Sequence, residues 1–175
     1  IKEKIMKKII IITLLLTANL FAQKSDFKAG LNQDTITLGG GCYWCVEAIY
    51  EQLNGVTSVV SGFSGGKKIN PTYEEVCTGN TGHAEVVQIT YDKSKTNLDE
   101  ILKVFFTVHD PTTLNRQGED EGTQYRSVIF YKNEAQKKVA QNIIAALKKG
   151  KVYDKPIVTT LEPLIKFYAA KEYHQ

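Results

Sequence analysis

Two cysteines three residues apart are the first side chains in this sequence that could carry out chemistry. They stand in the segment 39–45, which reads Gly-Gly-Gly-Cys-Tyr-Trp-Cys. A β-branched run precedes the segment and apolar residues at helical spacing follow it, so Cys42 is expected at the N-terminus of a helix. Unpaired N–H groups and the helix dipole stabilise a thiolate there, and we expect the pKa of the Cys42 thiol to fall. The sequence predicts a nucleophile at Cys42, with Cys45 at the spacing of a redox pair.

A carboxyl group on an apolar strand face is the second chemical signal. Glu85 alternates with Val87, Ile89 and Tyr91, and alternate residues of a strand point to the same face. Burial among apolar side chains disfavours the carboxylate, so the pKa of Glu85 should rise and the group could donate a proton near neutral pH. A solvated strand end is the alternative for Glu85 taken alone. We interpret the neighbouring His83 as a turn residue rather than a base.

A polar loop that leads into an apolar strand is the third signal. Segment 116–127 reads Arg-Gln-Gly-Glu-Asp-Glu-Gly-Thr-Gln-Tyr-Arg-Ser. Tyr125 lies at the mouth of the expected strand, where its phenol could hydrogen-bond a ligand oxygen. The three adjacent acids, with Asp120 at their centre, are by themselves more typical of a solvated loop.

A metal site is an alternative use of the same cysteines. Cys42, Cys45, Cys77 and His83 could supply a Cys₃His set for zinc. A lone thiol such as Cys77 is, however, more often inert and buried. An exported metal-binding module therefore remains an alternative to a redox enzyme that holds no metal.

The elements that must position these residues alternate between strands and helices. Hydrophobic periodicity predicts strands at 35–38, 56–63, 84–91, 127–131 and 158–161, and helices at 46–53, 98–106 and 139–147. The core order β-α-β-β-α-β is that of the split βαβ, ferredoxin-like arrangement. We therefore expect an α/β (α+β) fold, a two-layer sandwich with long functional loops at 64–83 and 109–126.

The first 22 residues are typical of a secretory leader. Met6 is followed by two lysines, an apolar run at 9–16 and a small residue at Ala22. We expect a signal peptide at 1–22, with residues 1–5 upstream of the true start, a linker at 23–34 and one domain at 35–175. The domain is then exported, with the bacterial periplasm as the expected destination and secretion or anchoring by the leader as alternatives.

Charge and composition exclude several other functions. The chain carries 22 Lys and Arg against 19 Asp and Glu, and the excess of +3 lies within the leader. The remaining chain is neutral overall, which argues against nucleic-acid binding and against stable membrane contact after leader cleavage. Three cysteines are too few for a disulfide framework. We expect one globular domain that acts as a monomer.

The three segments, in this order, resemble those of the peptide methionine sulfoxide reductase A family. Gly-Cys-Tyr-Trp at 41–44 is similar to the family's Gly-Cys-Phe-Trp, with Tyr in place of Phe. Thr-Gly-His-Ala-Glu at 81–85, Gly-Thr-Gln-Tyr-Arg-Ser at 122–127 and the closing Tyr-His-Gln at 173–175 match further family segments. The resemblance covers about 35–175 and implies thiol-dependent reduction of the S epimer of methionine sulfoxide, free or in proteins.

The resemblance also implies roles for individual residues. It makes Cys42 the nucleophile and Glu85 the acid that protonates the sulfoxide oxygen. It assigns hydrogen bonds to that oxygen to Tyr73 and Tyr125. By the same resemblance, the substrate main chain is held by Asp120 and the S-methyl group by the aromatic pair Tyr43 and Trp44.

Recycling of the nucleophile is expected to need a second thiol and no bound cofactor. A sulfenic acid on Cys42 would condense with a nearby thiol to a disulfide, which thioredoxin or another dithiol protein would reduce. Family members often carry resolving cysteines in a C-terminal tail, and no cysteine follows Cys77 here. Cys45 is therefore the candidate resolving thiol, with a missing tail or an external thiol as alternatives. A thioredoxin-like thiol–disulfide oxidoreductase is the alternative enzyme.

Overall fold

The computed structural model describes residues 32–170. The expected leader, most of the expected linker and the closing Tyr-His-Gln segment lie outside the described residues. The first strand begins at Gln33, two residues before the expected domain start at Thr35.

Strands and helices alternate along the described chain. The strands are β1 (Gln33–Gly39), β2 (Val56–Ser64), β3 (Ala84–Asp92), β4 (Arg116–Gln117), β5 (Asp120–Glu121), β6 (Val128–Tyr131), β7 (Thr160–Pro163) and β8 (Phe167–Ala169). The helices are α1 (Tyr43–Tyr50), α2 (Tyr73–Cys77), α3 (Leu98–Val108) and α4 (Glu134–Lys149), with a 3₁₀ turn at Thr123–Tyr125.

Four antiparallel strands in the order β6-β1-β3-β2 form the centre of a six-stranded sheet. This order and the β-α-β-β-α-β connectivity confirm the expected split βαβ arrangement. At the edges, β7 pairs in parallel with β6 and β8 pairs antiparallel to β2. The C-terminal end of β1 therefore lies at the same end of the sheet as the N-terminal ends of β3 and β6.

The main hydrophobic core lies between the sheet and the helices. Ile36 and Leu38 of β1 contribute to it, as do Val87 and Ile89 of β3, with relative exposures of 0%. A smaller cluster on the opposite face contains Ala84, Val86, Val128 and Phe130. Glu85 therefore shares the helix-facing side with Val87, as the alternation predicts.

Side-chain caps set the starts of three helices. Asn97 and Asn133 accept hydrogen bonds from the third residue of α3 and α4, and Thr72 with Glu75 forms a capping box at α2. Neither the five-residue α2 nor the short strands β4, β5 and β8 were predicted, because segments this short show little periodicity. No helix within residues 32–170 is long and apolar enough to cross a membrane.

Candidate active site

A tight glycine turn places the nucleophile. Gly41 has φ +97°, which L side chains rarely adopt, and a Cβ on it would lie 2.6 Å from Cγ of Gln117. A Cβ on Gly40 would lie 2.9 Å from the Phe105 ring. The turn therefore brings Cys42 from the end of β1 directly to the N-cap position of α1.

The Cys42 thiol is half-buried and free. The backbone N–H groups of Trp44 and Cys45 lower its pKa, as expected at a helix start. Burial raises the pKa of Cys42 by more than these two N–H groups lower it, and the negative charge of Glu85 raises it further. The expectation of a lowered pKa was wrong because it counted the helix terminus but not the desolvation of the thiol.

Glu85 is the buried acid of the site. It is 2% exposed, and one of its carboxyl oxygens accepts a hydrogen bond of 3.2 Å from the backbone N–H of Tyr43. Burial is the main cause that raises its pKa to about 7, with the charge of Asp120 also raising it and the Tyr43 N–H lowering it. The carboxyl therefore holds a proton in a large fraction of molecules at neutral pH, and the expected direction is confirmed.

Two phenols share this environment. A hydrogen bond to Cys77, followed by burial, raises the pKa of Tyr73, the first residue of α2. Burial and then the charges of Glu85 and Asp120 raise the pKa of Tyr125. Both hydroxyls are protonated near neutral pH and can donate hydrogen bonds to an acceptor oxygen.

An aromatic wall adjoins the thiol. The Tyr43 ring is 2% exposed and packs against Trp44 and Phe63, both with centroids at 5.9 Å, and against Tyr73 at 6.5 Å. Trp44 is 49% exposed, so its indole forms the accessible part of the wall. Such a surface can hold a small apolar group beside Cys42.

The other expected site residues lie at the periphery. Asp120 is exposed in β5, close enough to raise the pKa of both Glu85 and Tyr125. Cys45 is an exposed free thiol in the first turn of α1. The structure therefore brings Cys45 to the same helix start as Cys42.

The alternative zinc set is not assembled. Within residues 32–170 the structure groups no three His, Cys, Asp or Glu side chains in a way that could hold a metal. His83 uses both ring nitrogens: Nδ1 accepts from the Gly66 N–H at 3.1 Å, and Nε2–H donates to the Lys68 carbonyl at 2.8 Å. It fixes the turn at residues 65–68, which agrees with our interpretation as a turn residue.

Sequence reasoning missed two buried polar groups near the site. Glu47 lies in the second turn of α1, where it is buried and accepts a 2.6 Å hydrogen bond from the Ser61 hydroxyl. His109 packs against Gly40; its Nδ1–H donates to the Phe105 carbonyl, and Nε2 accepts from Ser127. The spacing of Glu47 from Tyr43 and Tyr50 on one helix face was the available signal for Glu47.

A half-buried thiol at a helix start and a buried carboxyl with a pKa of about 7 are the groups that a thiol-dependent oxidoreductase needs as nucleophile and proton donor. A family model described as peptide methionine sulfoxide reductase matches residues 34–175. A relative from Rhodopirellula baltica, named peptide methionine sulfoxide reductase MsrA 1, is 55% identical over 150 residues, 86% of this chain and 77% of that protein. A relative from Saccharolobus solfataricus, named peptide methionine sulfoxide reductase MsrA, is 57% identical over 141 residues, which are 81% of this chain and 78% of that protein.

A solved structure agrees with the sequence comparisons. Mxr1 from Saccharomyces cerevisiae in its reduced form matches with a TM-score of 0.75 and 36% identity, over 83% of this chain and 84% of that one. The chain belongs to the peptide methionine sulfoxide reductase family. It is an oxidoreductase that reduces methionine sulfoxide, and this assignment replaces the alternatives of a thioredoxin-like oxidoreductase and a metal-binding module.

Proposed function

We propose that this enzyme reduces the S epimer of methionine sulfoxide with Cys42 as nucleophile and Glu85 as general acid. The observation that supports this most directly is the buried carboxyl of Glu85, whose pKa of about 7 suits proton donation. It accepts the backbone N–H of the residue after Cys42, so acid and nucleophile are held together.

The first chemical step converts the thiol to a sulfenic acid. The sulfur of Cys42 attacks the sulfoxide sulfur and forms an S–S bond, while the oxygen takes up the proton of Glu85 and the proton of the thiol and leaves as water when the S–O bond breaks. Water then attacks the Cys42 sulfur, and the S–S bond breaks with its electron pair going to the methionine sulfur. The proton released from this water returns to Glu85. The net change is that a thiol and a sulfoxide become a sulfenic acid and a sulfide. The phenols of Tyr73 and Tyr125 donate hydrogen bonds to the oxygen as it gains negative charge.

Three separate contacts would fix the substrate. The oxygen faces the acid and the phenols, the S-methyl group lies against Tyr43 and Trp44, and Asp120 accepts from the substrate main chain. Exchanging methyl and oxygen would place a polar atom against the aromatic wall and a methyl against the acid. The R epimer should therefore be reduced far more slowly.

Recycling would proceed through a second thiol. The sulfenic acid condenses with Cys45 to a disulfide and water, and a dithiol protein then reduces the disulfide. A solved complex of Mxr1 with Trx2 matches this chain with a TM-score of 0.59 and 26% identity, over 86% of this chain and 90% of that one. It supports thioredoxin as the reductant, and the reaction itself requires only thiols.

We also propose that the enzyme is exported and acts as a monomer. The basic and apolar residues at 1–22 support export, with the bacterial periplasm as destination. Expression of the full chain in a Gram-negative host, followed by fractionation and N-terminal sequencing, should give a periplasmic protein that begins at Gln23. A cytoplasmic protein that retains residues 6–22 would contradict export.

Substitution of two cysteines tests the proposed function. Cys42→Ser should abolish reduction of the S epimer in an epimer-resolved assay with dithiothreitol. Cys77→Ser is the matched control: Cys77 is exposed, and Ser keeps an acceptor for Tyr73, so most activity should remain. Full activity in Cys42→Ser, or equal turnover of the two epimers by the parent, would refute the proposal.

A further inference from the structure

His109 is a buried side chain that the proposed chemistry does not use. It follows α3 directly and is 8% exposed. Its Nδ1–H donates to the Phe105 carbonyl at 2.6 Å, so in the neutral ring Nε2 carries no proton and accepts from the Ser127 hydroxyl at 2.7 Å. Burial is the main cause that lowers the pKa of His109, and the neutral ring that can accept from Ser127 therefore predominates near pH 7.

The imidazole lies where β1 and β6 separate. The last residue pair of their ladder is Gly39 with Val128, so Gly40 and Ser127 are the first residues beyond it. A Cβ on Gly40 would lie 3.2 Å from Cγ of the His109 ring, and Nε2 of the same ring is bonded to Ser127. One imidazole therefore contacts both chain segments just beyond the point at which their backbone pairing ends.

The two contacted residues are close in sequence to two residues of the proposed site. Gly40 stands two residues before Cys42, and Ser127 stands two residues after Tyr125. The β1–β6 ladder ends before either Cys42 or Tyr125 is reached. Contacts between side chains, with that of His109 the first beyond the ladder, therefore set the distance between the nucleophile and the phenol.

We propose that His109 is a positioning residue that fixes Cys42 relative to the phenol of Tyr125. Its ring stacks on the Phe105 ring with centroids 4.0 Å apart, and both of its nitrogens are bonded, so the imidazole is a rigid spacer. Reactions between groups held in place are sensitive to displacements of about 1 Å. The inference rests on the proposed function, because His109 acts through two residues to which that function gives a role.

His109→Asn and His109→Gln test which contact of the ring matters. The amide of Asn reaches about as far as Nδ1 and can keep the bond to Phe105, whereas the amide of Gln reaches about as far as Nε2 and can keep the bond to Ser127. The rate of Cys42 sulfenic acid formation in a single turnover should fall about tenfold to a hundredfold in His109→Asn. The loss in His109→Gln should be much smaller, although both variants should resist denaturant less than the parent because each leaves a buried group unpaired.

Ser127→Ala tests the same contact from the other side and serves if His109→Asn does not fold. It removes only the hydroxyl that is bonded to Nε2, and the single-turnover rate should fall about tenfold. Thr159→Val is the matched control. It removes the neighbouring hydrogen bond, 2.8 Å between Thr159 Oγ1 and the same Ser127 oxygen, and should lower resistance to denaturant while the rate stays near that of the parent.

A double-mutant cycle with Tyr125→Phe measures whether His109 acts through the phenol. Once the Tyr125 hydroxyl is absent, His109→Asn, or Ser127→Ala in its place, should lower the single-turnover rate by a smaller factor than it does in the parent.

The outcomes separate this inference from the proposed function. Equal factors in the two backgrounds, equal losses in His109→Asn and His109→Gln, or a parent-like rate in Ser127→Ala would each overturn the positioning role and leave the proposed function standing. A parent enzyme that does not reduce the S epimer, or a fully active Cys42→Ser, would overturn the proposed function itself.

Discussion

At the scale of residues, the proposed chemistry depends on two groups, Cys42 and Glu85, whose protonation states influence each other. The charge of Glu85 is one cause of the raised pKa of Cys42. When Glu85 holds its proton, that influence disappears and the thiolate forms more readily. In the proposed mechanism the reactive form has a thiolate on Cys42 and a neutral carboxyl on Glu85, although the opposite placement of the single proton is the more stable one.

The pH dependence of kcat/KM should follow from this pair. Below pH about 7 both groups are protonated, and the rate should rise with pH as one proton is lost, with an inflection near the Glu85 pKa of about 7. Above the raised pKa of Cys42 neither proton remains, and the rate should fall because no acid is left. A stopped-flow pH profile of sulfenic acid formation measures both limbs.

Glu85→Gln should remove both the proton that Glu85 donates and the acidic limb of the pH profile. We expect a loss on the order of 10²–10⁴-fold in the first step, with no inflection near pH 7. An unchanged inflection in Glu85→Gln would show that another group titrates there.

At the scale of elements, the glycine turn between β1 and α1 determines where the thiol lies. Gln117 faces Gly41, and its amide is held on both sides by the backbone of Asp110, at 3.0 and 3.2 Å. The Gln117 side chain therefore cannot move away without losing both hydrogen bonds. The β4–β5 hairpin, which carries Asp120 on its other strand, is fixed against the turn by the same contact.

Gly41→Ala should damage both stability and activity. The left-handed backbone costs about 1–2 kcal/mol for a non-glycine residue, and the overlap with Gln117 adds about 1–3 kcal/mol. A shift of Cys42 by about 1 Å could reduce turnover about 10²-fold. Chemical denaturation and the dithiothreitol assay measure the two effects.

Gly118→Ala provides the comparison for the turn. Gly118 has φ +58°, and a Cβ on it would meet nothing within 4 Å. Gly118→Ala should lose only the part of the stability that comes from the left-handed backbone, and it should keep its activity. If both alanine variants behaved alike, contact with Gln117 would not be what positions Cys42.

At the scale of the whole molecule, the residues of the proposed site lie at one end of the sheet. Cys42 follows the end of β1, Glu85 lies at the start of β3, and Tyr125 precedes β6. Antiparallel pairing of β1 with both neighbours brings these three positions together. The exposed Cys45 thiol lies at the same end, where a partner protein could approach it.

Cys45→Ser should separate the first step from the full cycle. The variant should still form one equivalent of methionine per enzyme and then accumulate a Cys42 sulfenic acid or its adduct, because no adjacent thiol closes the disulfide. Turnover driven by thioredoxin should be lost, and mass spectrometry of the parent after one turnover should show a Cys42–Cys45 disulfide. Recycling of Cys45→Ser at the parent rate would assign the resolving role to another thiol.

Local sequence patterns predicted where several residues of the proposed site lie. Alternation placed Glu85 on the apolar face and predicted the direction of its pKa, and the strand–glycine–helix pattern placed Cys42 at a helix start. These inferences succeeded because they depend on neighbours within a few residues. The split βαβ order was predicted for the same reason, from the sequence of periodic segments.

Properties that depend on distant segments needed the tertiary structure. The pKa of Cys42 is raised mainly by burial and also by the charge of Glu85, which lies 43 residues later in the sequence. The short helix that presents Tyr73 and the hairpin that presents Asp120 are too brief to show a period, and their positions depend on packing. The sequence alone determined the element order, the place of Cys42 at a helix start and the place of Glu85 on the apolar strand face. Desolvation, which is a sum over all packed neighbours, was decided only by the folded chain.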